Sequence, residues 1–518
     1  MLFVTFVVTK SKIMFGKIRD SFGKSIIYGF GNLFSKFIGF LLLPIIVKET
    51  TLADYGAIGL LESTAIIITA LLGFGINSAL ERWYWDKQYI DKQKSMFFTV
   101  MMFTLFISAF ILFFGFTFLK SITLLVLDKE QYQYAFALTL FGVVFDLISH
   151  NSGSLVRLKE KSILFTKANI VRFTVTLIFT LVLLLGFNRG IDGVFEAKLI
   201  ASIAYFAVFI PITFKNITPV FEKTILWEMI MFRLPLLIST ASLQILNFAD
   251  RYMIKFITNI EDSGLYSYAF KIGNTLKIVI VTSIWMSVVP IIYKMMETPE
   301  GKRYQQKMMT YIAFVVVMFG ISMSLFSKEI ITLMSLKNPE YWESWVIIPI
   351  TTFAIYFGVF KDLTIMGLNI AKKTGVIALS SVLASVLNVI LNFIFIKYIG
   401  YVGAAWATVI SQVFMLFMVY VSADKHYPVN YEIRKIAVLL LLAGGVVFFG
   451  NMINGVDILL RAPLKILMVI AFPFVLYPLG FYDKTEIDWI VKLWKKWKNP
   501  KNFMSNIKEL IKGVGHQQ

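Results

Sequence analysis

The chain has 518 residues, 58% of them apolar and only 16% charged, with 50 Lys and Arg against 31 Asp and Glu and a formal net charge of +19. The apolar residues fall into blocks of roughly 19–25, each long enough to cross a hydrocarbon core of about 30 Å as a helix, and the gaps between them are too short to fold as extramembrane domains. This excludes a soluble enzyme, a single-pass receptor and a transporter that carries its own ATPase domain.

Cysteine is absent, which removes disulfides, thiolate metal sites and Cys nucleophiles from consideration. His150, His426 and His516 are too scattered for a metal site. Neither a metal nor a catalytic residue is expected. The basic balance is read as the Lys and Arg excess of cytoplasmic loops rather than as a nucleic-acid surface.

Residues 1–24 carry Lys10, Lys12, Lys17, Arg19 and Lys24, and form a cytoplasmic N-terminal segment. Its opening, Met1–Val8, is apolar but too short to span or to serve as a signal-peptide core, and Met14 offers a second start. About fourteen transmembrane helices follow, placed at 25–47, 55–79, 96–119, 134–156, 164–187, 194–214, 230–257, 265–293, 309–327, 345–368, 376–396, 403–421, 436–454 and 463–482. With the N-terminus in the cytoplasm, the inside segments hold about 31 Lys and Arg and the outside ones about 8. Arg82–Lys94, Arg157–Lys161, Lys294–Lys307 and Lys372–Lys373 are inside, and both termini are cytoplasmic. In the tail, 483–518, Ile490, Leu493, Trp494 and Trp497 share one helical face and Lys492, Lys495, Lys496 and Lys498 the other. That pattern predicts a basic amphipathic helix on an anionic cytoplasmic leaflet.

An internal repeat sets the architecture. Thr51-Leu-Ala-Asp54-Tyr-Gly56 returns as Ile260-Glu-Asp262-Ser-Gly264-Leu-Tyr266, at an offset of about 208 residues. Arg189-Gly190-Ile-Asp-Gly193 matches Ile399-Gly400-Tyr-Val-Gly403, and Arg157-Leu-Lys159-Glu-Lys161 matches Ala371-Lys372-Lys373-Thr374. The expected fold is an all-α polytopic membrane protein with two parallel six-helix repeats, 25–229 and 230–435, followed by an extra helix pair, 436–482. Transporters built this way place the substrate path between the halves and rock one against the other.

The repeat carries a polar stripe. Ser25, Asn32 and Lys36 share one face of the first span, and Arg233, Thr240, Gln244, Asn247 and Arg251 one face of the seventh. Further ionisable residues lie inside spans: Lys167, Arg172, Lys198, Lys255, Lys271, Lys277, Lys361 and Lys465, with Glu62, Asp146, Glu196, Asp250 and Asp362. Each charge near a helix centre costs about 2.5–3.5 kcal/mol to insert, so such residues usually face a cavity or a partner. Lys167, Arg233 and Lys255 lie close enough to a boundary to snorkel. Lys198, Glu196 and Lys465 sit at span ends and read as interfacial. Asp362 reads as the neutraliser of Lys361 or of another helix's cation. Lys36, Arg172, Lys271 and Lys277 sit deep on different helices, and the acids available cannot neutralise them all. The surplus implies a cationic cavity suited to an anionic substrate. Asn32, Gln244 and Asn247 can hydrogen-bond a polar part of the substrate, and Arg233 and Arg251 complete the candidate substrate-binding set. Glu62 and Asp146, with His150, are candidates for ion coupling, local salt bridges or caps being the blander reading.

The run Tyr28-Gly-Phe-Gly-Asn32-Leu-Phe-Ser-Lys36-Phe-Ile-Gly39-Phe-Leu-Leu-Leu-Pro44, followed by Asp54-Tyr-Gly56, resembles the opening of bacterial polysaccharide flippases. These are the Wzx-type O-antigen and capsule repeat-unit translocases, in the polysaccharide transporter family of the multidrug/oligosaccharidyl-lipid/polysaccharide exporter superfamily. Pro235…Asp250-Arg251-Tyr252…Gly264-Leu-Tyr266 and Gly400…Gly403-Ala-Ala405-Trp-Ala407 extend the likeness over nearly the whole chain. The resemblance implies a V-shaped cationic lumen between two six-helix lobes, with the extra helix pair beside the lipid tail. It implies transport of oligosaccharide repeat units on undecaprenyl pyrophosphate, from the cytoplasmic to the outer leaflet of the bacterial inner membrane. It also implies coupling to a proton or sodium gradient, contact with membrane lipids and work beside other polysaccharide assembly proteins. A lipid II flippase and a multidrug exporter of the same superfamily are the nearest alternatives. A membrane glycosyltransferase or polymerase is disfavoured, because the longest outer connections, Lys120–Gln133 and Lys328–Ser344, are short and hold no acid/base constellation.

Overall fold

A computed structural model describes residues 39–488 apart from 296, 297, 337 and 485. The first predicted span and the amphipathic tail therefore lie largely outside the described residues. Those described are helical throughout, with no strand among them. Their contacts gather the residues up to Glu432 into one compact unit and those from Ile433 onward into a second.

In the larger unit α1 (Leu43–Glu49) leads into α2 (Leu52–Leu72). A capping box starts α2: Thr51 Oγ1 accepts from the Asp54 amide, and Asp54 Oδ2 accepts from the Thr51 amide, both at 3.1 Å. The predicted span 55–79 stops short at Leu72. Phe74 and Gly75 both adopt left-handed φ, 52° and 55°, which breaks the helix before the short α3 (Ile76–Trp83). Then follow α4 (Gln93–Thr117), the short α5 (Leu119–Leu127), α6 (Gln133–Leu158), α7 (Ser162–Leu181, extended by a π turn, Val182–Gly186) and α8 (Gly190–Lys215). The long α9 (Lys223–Ile257) opens the second half of the unit.

Next, α10 (Ile260–Leu276) passes through a π turn (Lys277–Val281) into α11 (Thr282–Lys294). After α12 (Pro299–Leu325) and the short α13 (Ser327–Met334) come α14 (Ile347–Ile370) and α15 (Thr374–His426). The last of these is bent where Ile399 and Gly400 leave helical geometry, Gly400 at φ +60°, a conformation glycine adopts without strain. The bend separates the predicted spans 376–396 and 403–421.

Eleven helices among the described residues are long and apolar enough to cross a membrane, the bent α15 counted once. The stretch Ile260–Lys294 covers the predicted span 265–293. Large apolar side chains such as Phe106, Phe113, Phe187 and Phe393 stand exposed on the outside of the bundle. Such continuous apolar surface is the solvent-facing pattern of a chain whose solvent is lipid. The hydroxyls of Ser63, Thr104, Thr139 and Ser411 return hydrogen bonds to carbonyls four residues back, so none of them needs water.

The two halves of the larger unit meet most closely where α2 and α10 begin. Here the sequence repeat becomes a reciprocal contact. A Cβ on Gly56 would sit 2.1 Å from the Ile260 carbonyl oxygen, and one on Gly264 would sit 2.6 Å from that of Leu52. Each glycine thus receives the carbonyl that lies four residues ahead of its counterpart. One turn further, Gly59 faces Ser267, the position equivalent to it in the other repeat. Asn259 caps α10 by accepting from the Asp262 amide at 2.7 Å, as Thr51 caps α2. The close approach needs backbone without side chains, and glycine supplies it.

In the smaller unit, α16 (Ile433–Met452) and α17 (Ile458–Val475) form a helix pair. Lys465, read from sequence as interfacial, is instead fully buried and donates to Asn454 Oδ1 at 2.7 Å. A lysine in mid-helix reaches that state only with a polar partner.

Candidate functional site: an ion-bridged seam between the halves

Glu62 lies midway along α2, about 15 Å from its start. Its Oε1 accepts from Lys198 of α8 at 2.6 Å and stands 3.5 Å from Lys271 of α10. Lys198 comes from the same half as Glu62 and Lys271 from the other. Both ammoniums approach one oxygen, so they lie within about 6 Å of each other. About a third of each of the three side chains remains accessible despite this depth: 35% for Glu62, 34% for Lys198 and 32% for Lys271. Lys198 was expected at an interface. Instead it sits about two turns inside α8, with its ammonium also 4.6 Å from the Phe195 ring.

Arg172 of α7 forms a second centre. Its guanidinium pairs with Asp146 of α6 at 2.9 Å, lies 3.4 Å from Ser202 Oγ and stacks 5.1 Å above the Tyr205 ring. Asp146 keeps a buried Oδ1 without a hydrogen-bond partner. One turn along α6, His150 lines a cavity of about 30 Å³ with Thr69, Asn77, Thr104 and Asn151.

The polar stripe of the seventh span runs along α9, and the structure gives its members different surroundings. Arg251 is buried, 3.4 Å from Asp250, and boxed by the rings of Phe248, Tyr266 and Phe270. Asp250 in turn accepts from the Tyr266 hydroxyl. Asn247 donates to the Leu243 carbonyl at 2.6 Å, and its own carbonyl accepts from Arg251. Gln244 is half-buried on the same helix. Arg233 reaches into the other half, where Nε donates to the Phe74 carbonyl at 3.1 Å and the guanidinium packs on Gly75. Lys277 opens the π turn after α10, with its side chain exposed. Lys361 pairs with its neighbour Asp362 at 3.2 Å, the neutralisation expected from sequence. Lys36 and Asn32 lie outside the described residues.

The halves are also tied together at the end where α2 begins. Lys255, read as a boundary residue that snorkels, is buried there: it pairs with Asp128 at 2.7 Å and donates to the Leu125 carbonyl at 2.7 Å. Tyr55, Tyr268 and Tyr341 meet edge to face, with ring centroids 4.8–6.0 Å apart. The hydroxyls of Thr64 and Tyr252 lie 2.7 Å apart across the seam. Glu222, on the link between the halves, accepts from Lys92 at 2.9 Å and from Ser95 at 3.0 Å. The Lys92 hydrogen bond holds its carboxyl below the usual range.

Comparison with solved structures finds the same fold in several membrane transporters. The lipid II flippase MurJ, in an inward closed conformation, superposes with a TM-score of 0.72 at 15% identity, over 88% of this chain and 99% of that one. An inward-facing multidrug resistance MATE family transporter of the MOP superfamily follows at 0.63 and 15% identity, over 79% and 95%. The MATE transporter VcmN of Vibrio cholerae gives 0.58 at 14% identity, over 78% and 96%. At these identities the likeness establishes the fold. No curated protein matches the chain in sequence. Residues 22–296, more than half of the chain, match the family described as polysaccharide biosynthesis protein. This all-helical, multi-pass membrane protein belongs to the polysaccharide biosynthesis protein family.

Proposed function

We propose that the chain is a flippase that carries oligosaccharide repeat units linked to undecaprenyl pyrophosphate from the cytoplasmic to the outer leaflet of a bacterial inner membrane. The product serves surface polysaccharide, O-antigen or capsule. The observation that carries this reading is the pair of lysines, one from each half, that converge on the middle of the seam. Mid-membrane cations on facing helices are costly unless they meet an anion, and an anion presented to both halves at once is a cargo for a rocking carrier. Membership of a polysaccharide biosynthesis family favours a lipid-linked saccharide as that anion.

In this reading the lobes are 25–229 and 230–435, with 436–482 as an extra helix pair. Lys36, Arg172, Lys271 and Lys277 receive the pyrophosphate, joined by Lys198. Asn32, Gln244 and Asn247 bond the saccharide, with Arg233 and Arg251 along the same stripe. Arg251 contributes chiefly by fixing α9 against α10, since its guanidinium is already enclosed. Glu62 and Asp146 are the carboxylates available for coupling to a proton or sodium gradient. The Lys and Arg asymmetry puts both termini in the cytoplasm. The end closed by Gly56, Gly264 and the Lys255–Asp128 pair then faces outward, and the cargo enters from the cytoplasmic side.

The lipid II reading keeps some weight, because MurJ, with the same fold, is a lipid II flippase and a pyrophosphate headgroup would serve both cargoes. The test is deletion of the gene, followed by a leaflet-resolved assay of undecaprenyl-pyrophosphate-linked sugars in spheroplasts. A complete repeat unit accumulating on the cytoplasmic side, with loss of surface polysaccharide, is the expected result. Accumulation of lipid II instead would transfer the assignment to that cargo, and unchanged lipid-linked sugars would discard both.

A further inference from the structure

Two cations share a single carboxylate at the seam. Lys198 and Lys271 both approach Oε1 of Glu62, from α8 and α10, and each of the three side chains keeps about a third of its surface open. A pair that serves only packing is ordinarily closed, as the fully buried Lys465 is where it donates to Asn454. Here one negative charge serves two positive ones, a net charge of +1 in the middle of the bundle. The same two ammoniums, within about 6 Å of each other, present donors at a spacing one phosphate group can bridge.

We infer that Glu62 is the resident counter-ion of the anion site: its carboxylate holds Lys198 and Lys271 while the carrier is empty, and the phosphate of the cargo displaces it. The inference rests on the proposed pyrophosphate-linked cargo and adds the residue that the cargo must compete with. Displacement costs little, because one set of charge-assisted hydrogen bonds replaces another. Its return after translocation helps eject the cargo, since an empty pair of lysines would repel each other across the seam. Glu62 also ties the halves together without cargo, so exchange of one anion for the other changes what links α2 and α8 to α10. As a positioning residue, Glu62 lowers affinity for the anion and raises the rate at which it leaves.

The test measures binding of undecaprenyl pyrophosphate to the full chain in nanodiscs, with the uncharged alcohol undecaprenol as the control for the tail. Glu62→Gln removes the competing charge and keeps the shape. It is expected to bind undecaprenyl pyrophosphate about tenfold more tightly than the native protein, to bind undecaprenol equally and to translocate more slowly. Lys271→Ala in the Glu62→Gln background is expected to abolish the gain. Glu62→Asp keeps the charge, is expected to bind like the native protein, and guards against reading a folding defect as a binding effect. Unchanged or weaker binding by folded Glu62→Gln, with native binding intact, would overturn the counter-ion role alone. Native protein that prefers undecaprenyl pyrophosphate no more than undecaprenol would overturn the cargo reading and the counter-ion role together.

Discussion

Lys198 lies about two turns inside α8, and its partner matters more than its depth. Distance from a span end made it look interfacial in the sequence. Its meeting with Glu62 depends on how α2 packs against α8, which no local pattern encodes. The same holds for Lys255, whose partners Asp128 and Leu125 are on the short α5 and its C-terminal cap. By contrast, the Lys361–Asp362 pair was legible, because its members are neighbours in sequence. Lys255→Met is expected to lower stability by about 1.5–3 kcal/mol, the range for a charged hydrogen bond. Asp128→Asn should cost under about 1 kcal/mol, since that carboxylate is half exposed. Thermal unfolding in detergent, with the double variant to close the cycle, measures both. At the link between the halves, the Lys92 hydrogen bond depresses the Glu222 carboxyl. A carboxyl depressed by folding stabilises above its unfolded pKa and loses that contribution as pH falls through its folded value. Glu222→Gln should therefore flatten the acid side of the stability curve, below the ordinary carboxylate range, and leave stability above neutrality with a constant offset. An unchanged acid limb would show that Glu222 does not contribute.

At the scale of elements, the contact of α2 with α10 is where sequence reading reached furthest. Gly56 and Gly264 stood at equivalent places in the repeat, and the structure seats each against the carbonyl that opens the other's helix. Gly56→Ala puts a methyl group where there is backbone, so it should destabilise the protein by about 1–3 kcal/mol or push the halves apart. Gly142, within α6, has nothing within 4 Å of an added Cβ. Gly142→Ala is accordingly expected to be neutral or to stabilise by up to about 1 kcal/mol, through helix propensity. Melting temperatures of the two variants side by side test the contrast, and equal effects would contradict the close packing. The breaks were less legible than the spans. Phe74 takes a left-handed φ that nothing in its side chain announces, and α2 ends there several residues before its apolar run does. Gly400 is different: the repeat flagged it, and α15 bends at that point.

Over the whole molecule, apolar blocks and the offset of about 208 residues were enough to predict an all-helical membrane protein with two matching halves. The superposition on MurJ and MATE transporters carries that fold. The candidate site was legible as a surplus of positive charge within the spans and illegible as a set of partners. Arg172 has Asp146, Arg251 has Asp250 and an aromatic box, and the seam is built around Glu62. Charge counting finds cations, but only packing tells which of them share an acid. In the proposed carrier, cations from both halves act together, so removing Arg172 and Lys271 in one protein should stop export while protein levels hold.

Transport itself is measured with the purified chain in vesicles containing an undecaprenyl-pyrophosphate-linked oligosaccharide, by following how much of that lipid a membrane-impermeant enzyme can reach in the outer leaflet. The native chain is expected to make nearly all of it accessible, while the Arg172→Ala, Lys271→Ala double variant leaves only the fraction first exposed. Native vesicles that behave like protein-free ones would contradict the account.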